Sequence, residues 1–287
     1  MHRWLKAKLN LLDFDQERAR LIVASLEPEP GSGLTAEGYR LDLLDHCLRL
    51  ANGDGWFTVD AYGRVHTPLT SLHRELRCCL SVGGQPLAAW DLKNSQPLMA
   101  GLLARRFYGS ADARKRLQSC TFADRKRPYH ANLLRGLTGS KGMPADVVAY
   151  VKCCEQGGFY ESFTAPGGDR DATKRRFWPD VFFGKPFWRG PLRARFEERY
   201  PSLGEMLRVL KRKTHARPAW LLQNLEATIF IGAVCGRIME EKRALPLLTI
   251  HDMLLCPPED ANYVREIVLH EFAKLGISPQ LKLEFYR

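Results

Sequence analysis

Trp90-Asp91-Leu92-Lys93-Asn94-Ser95-Gln96-Pro97 places one aspartate at the end of an apolar run that begins near residue 87 and reads as a buried strand. Asn94 and Ser95 are helix-cap formers, and Pro97 suits the first turn of a helix that follows. Leu248-Thr249-Ile250-His251-Asp252-Met253-Leu254-Leu255 repeats the device, with Asp252 inside an apolar strand predicted over about 247–255. Two carboxylates on neighbouring strands would clamp a pair of divalent metal ions, as in-line phosphoryl or nucleotidyl transfer requires. Between them, Arg170 and Lys174 stand one helical turn apart in a basic segment. That spacing puts both on one helix face, suited to a triphosphate.

Each residue also has a plainer reading. Asp91 alone serves as well to cap the next helix, and Asp252 to end a strand. A charged residue within an apolar strand needs a partner, however, which favours a metal. Strand alternation would turn His251 to the opposite face from Asp252. There it is equally a buried structural histidine or a contact to a ligand. Arg170 and Lys174 could form a solvated helix face, but Phe177 and Trp178 follow one turn later and would add a stacking surface. Tyr160, Phe163 and the cysteines read as core.

Working outward, residues 3–27 alternate apolar and charged positions at helical spacing, predicting one amphipathic helix or two short ones. Pro28-Glu29-Pro30-Gly31-Ser32-Gly33 is a linker, and Thr35 caps a second helix that stops at Gly53. Trp56 to Asp60 reads as a strand, followed by a turn at Tyr62-Gly63. From about 98 to 215 the pattern is helices and loops carrying the clusters Arg114-Lys115-Arg116, Arg125-Lys126-Arg127, Arg175-Arg176 and Lys211-Arg212-Lys213. Leu221 to Glu241 is a long apolar helix, 260–274 another, and Leu281 to Phe285 a last strand. The outline is α+β: a small antiparallel sheet with a large helical insertion.

The 287 residues suffice for one substantial core. With 43 Lys+Arg against 32 Asp+Glu the net charge is +11, which favours a polyanion, nucleic acid before an anionic membrane. No run approaches the 18 or so apolar residues of a membrane span, and Met1 to Lys8 lacks a signal peptide's apolar core. Eight cysteines without a Cys-x-x-Cys pair predict reduced thiols and a cytoplasmic setting.

In order along the chain, several segments resemble the polymerase core (palm and fingers) of family A DNA polymerases, and more distantly the single-subunit phage-type RNA polymerases. Gly63-Arg64-Val65-His66-Thr67 with Thr70, Ser71 and Leu72 is similar to the family's T-G-R-hydrophobic-S-S segment, and Asp91 matches the motif A aspartate. Gly158 to Ala165 resembles the helix before motif B, Arg170 and Lys174 its paired cations, and Phe183-Gly184 its closing Tyr-Gly. Glu198-Arg199-Tyr200-Pro201 resembles the R-Y-P after the fingers. Gln223-Asn224 opens a helix like the one before motif C, which His251-Asp252 matches.

The resemblance covers about residues 60–287 and departs from the family at three places. Met253 stands where the family carries glutamate, closer to the His-Asp-Ser of the RNA polymerases. Gln96 replaces the glutamate that blocks a 2′-hydroxyl, which weakens sugar discrimination. Pro179 interrupts the fingers helix, so that helix ends early or kinks, and Trp178, Phe177 and Phe182 compete for the base-stacking role.

What the resemblance implies is a right-hand polymerase with a reduced thumb. Residues 1–55 would be that reduced thumb or a docking segment, 56–97 and 216–287 the palm, and 98–215 the fingers. The implied activity is primer extension on a template by two Mg²⁺ ions, with Mn²⁺ as an alternative, held by Asp91 and Asp252: a minimal DNA polymerase without proofreading. Arg170 and Lys174 would hold the triphosphate, Lys174 also protonating the leaving group, while Trp178 stacks on the base and Gln96 packs on the sugar. Arg64, His251, Gln223 and Asn224 would contact the primer-template. Partners would be nucleic acid, nucleoside triphosphates and a processivity protein, with no membrane. Rivals are an RNA-synthesising or primer-making enzyme, a non-catalytic nucleic-acid-binding relative, and a metal-dependent nuclease.

Overall fold

The computed structural model describes residues 1–29, 31–119, 142–185, 187, 190–212 and 214–286. Arg125-Lys126-Arg127, Lys213 and the linker's Pro30 lie outside the described residues. The amphipathic N-terminal stretch divides into α1 (His2–Leu9), a short strand β1 (Leu12–Phe14) and α2 (Gln16–Ser25). Asp15 caps α2 by accepting from the Arg18 amide at 2.9 Å, and Thr35 caps α3 (Ala36–Ala51) by accepting from Gly38 at 3.1 Å. The strand predicted over Trp56 to Asp60 shortens to β2 (Thr58–Val59), paired with β3 (Val65–His66) around a turn. Asp60 holds that turn by accepting from the amides of Tyr62 at 2.8 Å and Arg64 at 3.0 Å. β4 (Leu80–Val82) and β5 (Gln85–Pro86) form a hairpin whose turn residues, Gly83 and Gly84, have φ of 57° and 76°.

β6 (Ala88–Leu92) delivers Asp91, and Ser95 opens α4 (Ser95–Gly109), followed by α5 (Ala111–Ser119). The helical insertion continues with α6 (Ala145–Glu155), α7 (Arg170–Phe177), α8 (Pro191–Arg199) and α9 (Pro201–Lys211). After α7 the chain runs directly into a π turn, Trp178–Phe182, containing Pro179, the kink the proline predicts. Gly184 closes that turn: a Cβ there would lie 2.2 Å from the Pro179 carbonyl oxygen.

The long apolar helix is α10 (Arg217–Ala227), a π segment Thr228–Cys235, and α11 (Gly236–Glu241). The Thr228 hydroxyl donates to the Asn224 carbonyl at 2.7 Å, at the point where the winding changes. Contrary to the sequence expectation, this stretch is long and apolar enough to cross a bilayer, yet 67% of its most apolar window is buried within the protein. Its apolarity serves the core.

The predicted single strand over 247–255 is instead a hairpin of β7 (Leu248–Ile250) and β8 (Met253–Cys256), turning at His251-Asp252. His251 takes φ of 55°, so strand alternation does not apply to it. α12 (Ala261–Ala273) and β9 (Leu281–Phe285) complete the chain. The central sheet runs β7-β8-β6-β9, all antiparallel, with Asp91 opposite both Met253 and Lys282.

Both faces of this sheet are covered. Ala88, Trp90, Leu92, Leu254 and Cys256 join the large helical core, while Ala89, Leu248, Ile250, Met253 and Leu255 pack with Leu9, Ala19, Val23 and Cys47 of the N-terminal helices. Strands buried on two sides need apolar residues at successive positions, which is why β6 up to Trp90 and β8 appear as apolar runs, whereas the edge strand β9 carries Lys282 and Glu284.

Candidate active site

β6 and β8 end together at one edge of the central sheet, and this register carries the site. Because Asp91 faces Met253, the preceding residue, Asp252, reaches the same edge from the β7–β8 turn. A cleft of about 830 Å³ opens there, lined by Asp91, Asp252, Gln96, Arg64, His251, Arg170, Lys174 and Trp178. Eight of the ten residues singled out in the sequence therefore meet in one cavity. Gln223 and Asn224 do not line it. Asn224 is fully buried and its side-chain amide donates to the Tyr62 carbonyl at 2.9 Å, supporting the β2–β3 turn.

The carboxylates crowd one another. Burial first, then Glu226 and Asp91, push the Asp252 carboxyl up to about 8. Asp91 is also raised, by burial and then by Glu284, although Lys174, Lys282 and Arg77 pull it back down. Carboxylates that raise one another's pKa in this way are what a bound cation relieves.

Glu226 is the main residue that sequence reasoning missed. It is almost fully buried, and its Oε1 accepts from an Arg64 amino group at 2.6 Å. Its Oε2 accepts from the Ser95 hydroxyl at 2.8 Å and from the Gln96 amide. One carboxylate thus ties α10 to the start of α4 and to the β2–β3 segment. The available signal was a lone acid in the apolar run Leu221 to Val234, which needs partners when buried. Glu284, Arg74, Arg77 and Lys282 were missed too and line the same cleft.

On the opposite wall, Asp169 caps α7 by accepting from the Asp171 amide at 2.7 Å. Arg170 begins that helix and pairs with Glu161 at 2.6 Å and Asp171 at 3.1 Å, its guanidinium 5.5 Å from the Tyr160 ring centroid. Lys174 faces Asp91 closely enough to lower its pKa. Phe177 and Phe182 are fully buried in the aromatic core, so neither is open to a base. Trp178 lines the cleft, its indole stacked on Phe183 at 5.1 Å and 24°.

His251 sits edge-on to His66 at 5.9 Å, and burial followed by the nearby Arg64 charge lowers its pKa. His66 in turn contacts Asp60 at 2.9 Å. Arg64 Nε, Arg77 Nε, both amide atoms of Asn94, Gln96 Oε1 and His251 Nδ1 are buried without a hydrogen-bond partner, and all five residues line the cleft. Buried polar groups are ordinarily paired, and these unpaired ones gather around a single cleft.

No protein-family model matches the chain, and no curated protein matches it. Among solved structures it is similar to the POL domain of Pol1 from M. smegmatis in complex with DNA primer-template and dNTP. The likeness is loose, with a TM-score of 0.44 and 14% identity over 87% of this chain and 51% of that one. The chain thus spans about half the length of that structure.

Proposed function

We propose that this cleft is the active centre of a template-directed nucleotidyltransferase that extends a primer 3′ end, as the family A resemblance implies. The observation that carries the proposal is the convergence of Asp91 and Asp252 at one sheet edge, facing Lys174 and Arg170 across the cleft.

The donor set suits Mg²⁺, or Mn²⁺ in its place. Magnesium needs only one or two carboxylates and completes its shell with water and substrate phosphates. Among the described residues no group of three or more His, Cys, Asp or Glu is arranged to hold a metal alone, so Asp91 and Asp252 would hold the ions together with the substrate. When bound, the metal pair supplies Lewis-acid activation of the attacking hydroxyl and neutralisation of the phosphates.

The chain's own groups do the rest. Lys174, whose charge pulls the Asp91 pKa down, would bind the phosphates and give a proton to the leaving oxygen. Arg170 begins the same face, but it reaches a phosphate only by exchanging its pairs with Glu161 and Asp171. Trp178 offers the base a stacking surface. Arg64 is oriented by Glu226, and with His251, which lines the same cleft, it would contact the primer-template.

In this reading residues 56–97 and 216–287 make the palm and 98–215 the fingers. Residues 1–55 share a core with the rear of the palm sheet, which suits a docking segment better than a thumb. Binding of the primer-template would rest on Lys and Arg contacts to phosphates and weaken steeply with salt.

The test is extension of a labelled DNA primer on a template with Mg²⁺ or Mn²⁺, comparing wild type with Asp91→Ala and Asp252→Ala. Template-dependent extension by wild type, lost in both variants, is expected. Nucleic-acid binding without extension in all three proteins would favour a non-catalytic role instead.

A further inference from the structure

A second pocket, of about 440 Å³, opens between one face of α1 and the turn that follows α11, and it shares no lining residue with the Asp91–Asp252 cleft. Arg3, Trp4, Ala7 and Lys8 of α1, then Leu11, face Arg243 across it. Two hydrogen bonds fix its walls: Trp4 Nε1 donates to the Arg243 carbonyl and Lys8 Nζ to the Ala244 carbonyl, each at 2.8 Å. Arg243 lies before β7 and Asp252 beyond the end of that strand, so β7 separates the two cavities.

The pocket gathers positive charge without an answering acid. Among the described residues no ion pair engages Arg3, Lys8 or Arg243, and the acids beside the turn, Glu241 and Asp260, pair with Arg237 and Lys242 instead. Lys8 is nine-tenths buried, at 9% exposure, and burial followed by the Arg243 charge lowers its pKa. Its ammonium can donate three hydrogen bonds, of which Ala244 accepts one. Buried charge of one sign calls for a counterion.

The lining selects among anions. It is a poor match to an acidic lipid surface, since Trp4, Leu5 and Leu9 of α1 are buried in the protein rather than offered to a bilayer. A nucleobase finds no open ring, because Trp4 is 6% exposed and the Lys8 ammonium lies 5.7 Å from its ring centroid. A carboxylate brings one charge to three cations. A terminal phosphate brings up to two, with oxygens that arginine forks and an ammonium can share. We propose that Arg3, Lys8 and Arg243 form a binding site for a terminal phosphate group, separate from the active centre. A free nucleotide and the 5′-phosphate end of a nucleic acid present the same group to it. The site does not depend on the nucleotidyltransferase reading.

The experiment is calorimetric titration with AMP and with a short single-stranded oligonucleotide carrying either a 5′-phosphate or a 5′-hydroxyl. It uses a Lys174→Met background, which weakens phosphate binding in the cleft. Arg3→Ala and Arg243→Ala each remove an exposed cation of the pocket, and Lys6→Ala removes an exposed cation of α1 outside it; thermal melts verify folding. Arg3→Ala and Arg243→Ala are each expected to weaken binding by about tenfold or more, the loss of one charge-assisted hydrogen bond, while Lys6→Ala stays near the background protein. Binding of AMP assigns the site to free nucleotides, and binding of the phosphorylated strand alone assigns it to nucleic-acid ends. Binding that the folded Arg3→Ala and Arg243→Ala proteins retain overturns the site. So does an equal loss in Lys6→Ala, which would mean general attraction to a basic surface. Indifference to the 5′-phosphate without AMP binding, or no binding of any probe, overturns it as well. Primer extension is scored separately on the Asp91 and Asp252 variants, so either conclusion can fail alone.

Discussion

An Arg64 amino nitrogen lies 2.6 Å from a Glu226 carboxylate oxygen, joining the β2–β3 segment to a helix far along the chain. Breaking such a buried pair from one side leaves the other charge uncompensated, at about 3–5 kcal/mol. Glu226→Ala is therefore expected to lower stability by about that amount in urea unfolding. Glu226→Gln, which keeps one oxygen to accept from Arg64 while Ser95 can turn to accept from the amide nitrogen, should lose less. Equal losses would show that the carboxylate charge, rather than its hydrogen bonds, holds the junction.

Asp252 works against folding in the metal-free protein. It is half-buried beside Glu226 and Asp91, so removing its charge relieves repulsion. Asp252→Asn is expected to raise the melting temperature at pH 7.5 while abolishing primer extension. Mg²⁺ should raise the melting temperature of wild type and much less that of the variant. A variant that melts below metal-free wild type would contradict this account of the cleft.

Lys211 gives a pH signature away from the cleft. Its ammonium is buried and donates to the Val181 carbonyl at 2.8 Å, and burial, then the nearby Arg193, lowers its pKa to about 8 from 10.5. Between pH 8 and 10.5 the unfolded chain holds this proton more tightly than the folded one, so the lysine's contribution to stability rises with pH across that window. Wild type should gain about 2–3 kcal/mol relative to Lys211→Met between pH 7 and pH 10.5, at 1.36 kcal/mol per pKa unit. Unfolding curves of both proteins at the two pH values check it; an unchanged difference would mean that Lys211 stays charged.

The two neighbours Phe177 and Trp178 should separate cleanly. Phe177 is fully buried, and Phe177→Ala is expected to cost about 3–5 kcal/mol of stability. Trp178 lines the cleft, and Trp178→Ala should weaken nucleotide binding by about 5- to 150-fold, the equivalent of 1–3 kcal/mol of base stacking. Its effect on melting should be the smaller of the two. Nucleotide titration and thermal melts of both variants decide between this assignment and the reverse.

Gly184 is required by close approach. A methyl there would press on the Pro179 carbonyl, whose π turn leaves no room for it. Gly184→Ala is expected to destabilise by about 1–3 kcal/mol, read by chemical denaturation.

Much of this molecule is legible in its one-dimensional pattern. The runs ending at Asp91 and around Asp252 are apolar at successive positions, so they announce strands buried on both faces, and the structure buries them so. Thr35 marks its helix start because capping is a local interaction. Pro179 announces its kink for the same reason. Of the residues singled out in the sequence, the acids and cations Asp91, Asp252, Arg64, Arg170 and Lys174 line one cleft together with Gln96, His251 and Trp178.

Tertiary structure decided what depends on contacts across the chain. The hairpin turn at His251-Asp252 arises because β8 must return along β7 and pair with β6, whereas local pattern alone permits one continuous strand. Phe177 or Trp178 could equally face the cleft until the π turn around Pro179 directs one inward. Glu226 is one acid among 32 Asp and Glu in the sequence. It becomes the hub of the site only when Arg64, Ser95 and Gln96 converge on it, and that convergence satisfies a buried charge no local sequence signal could pair.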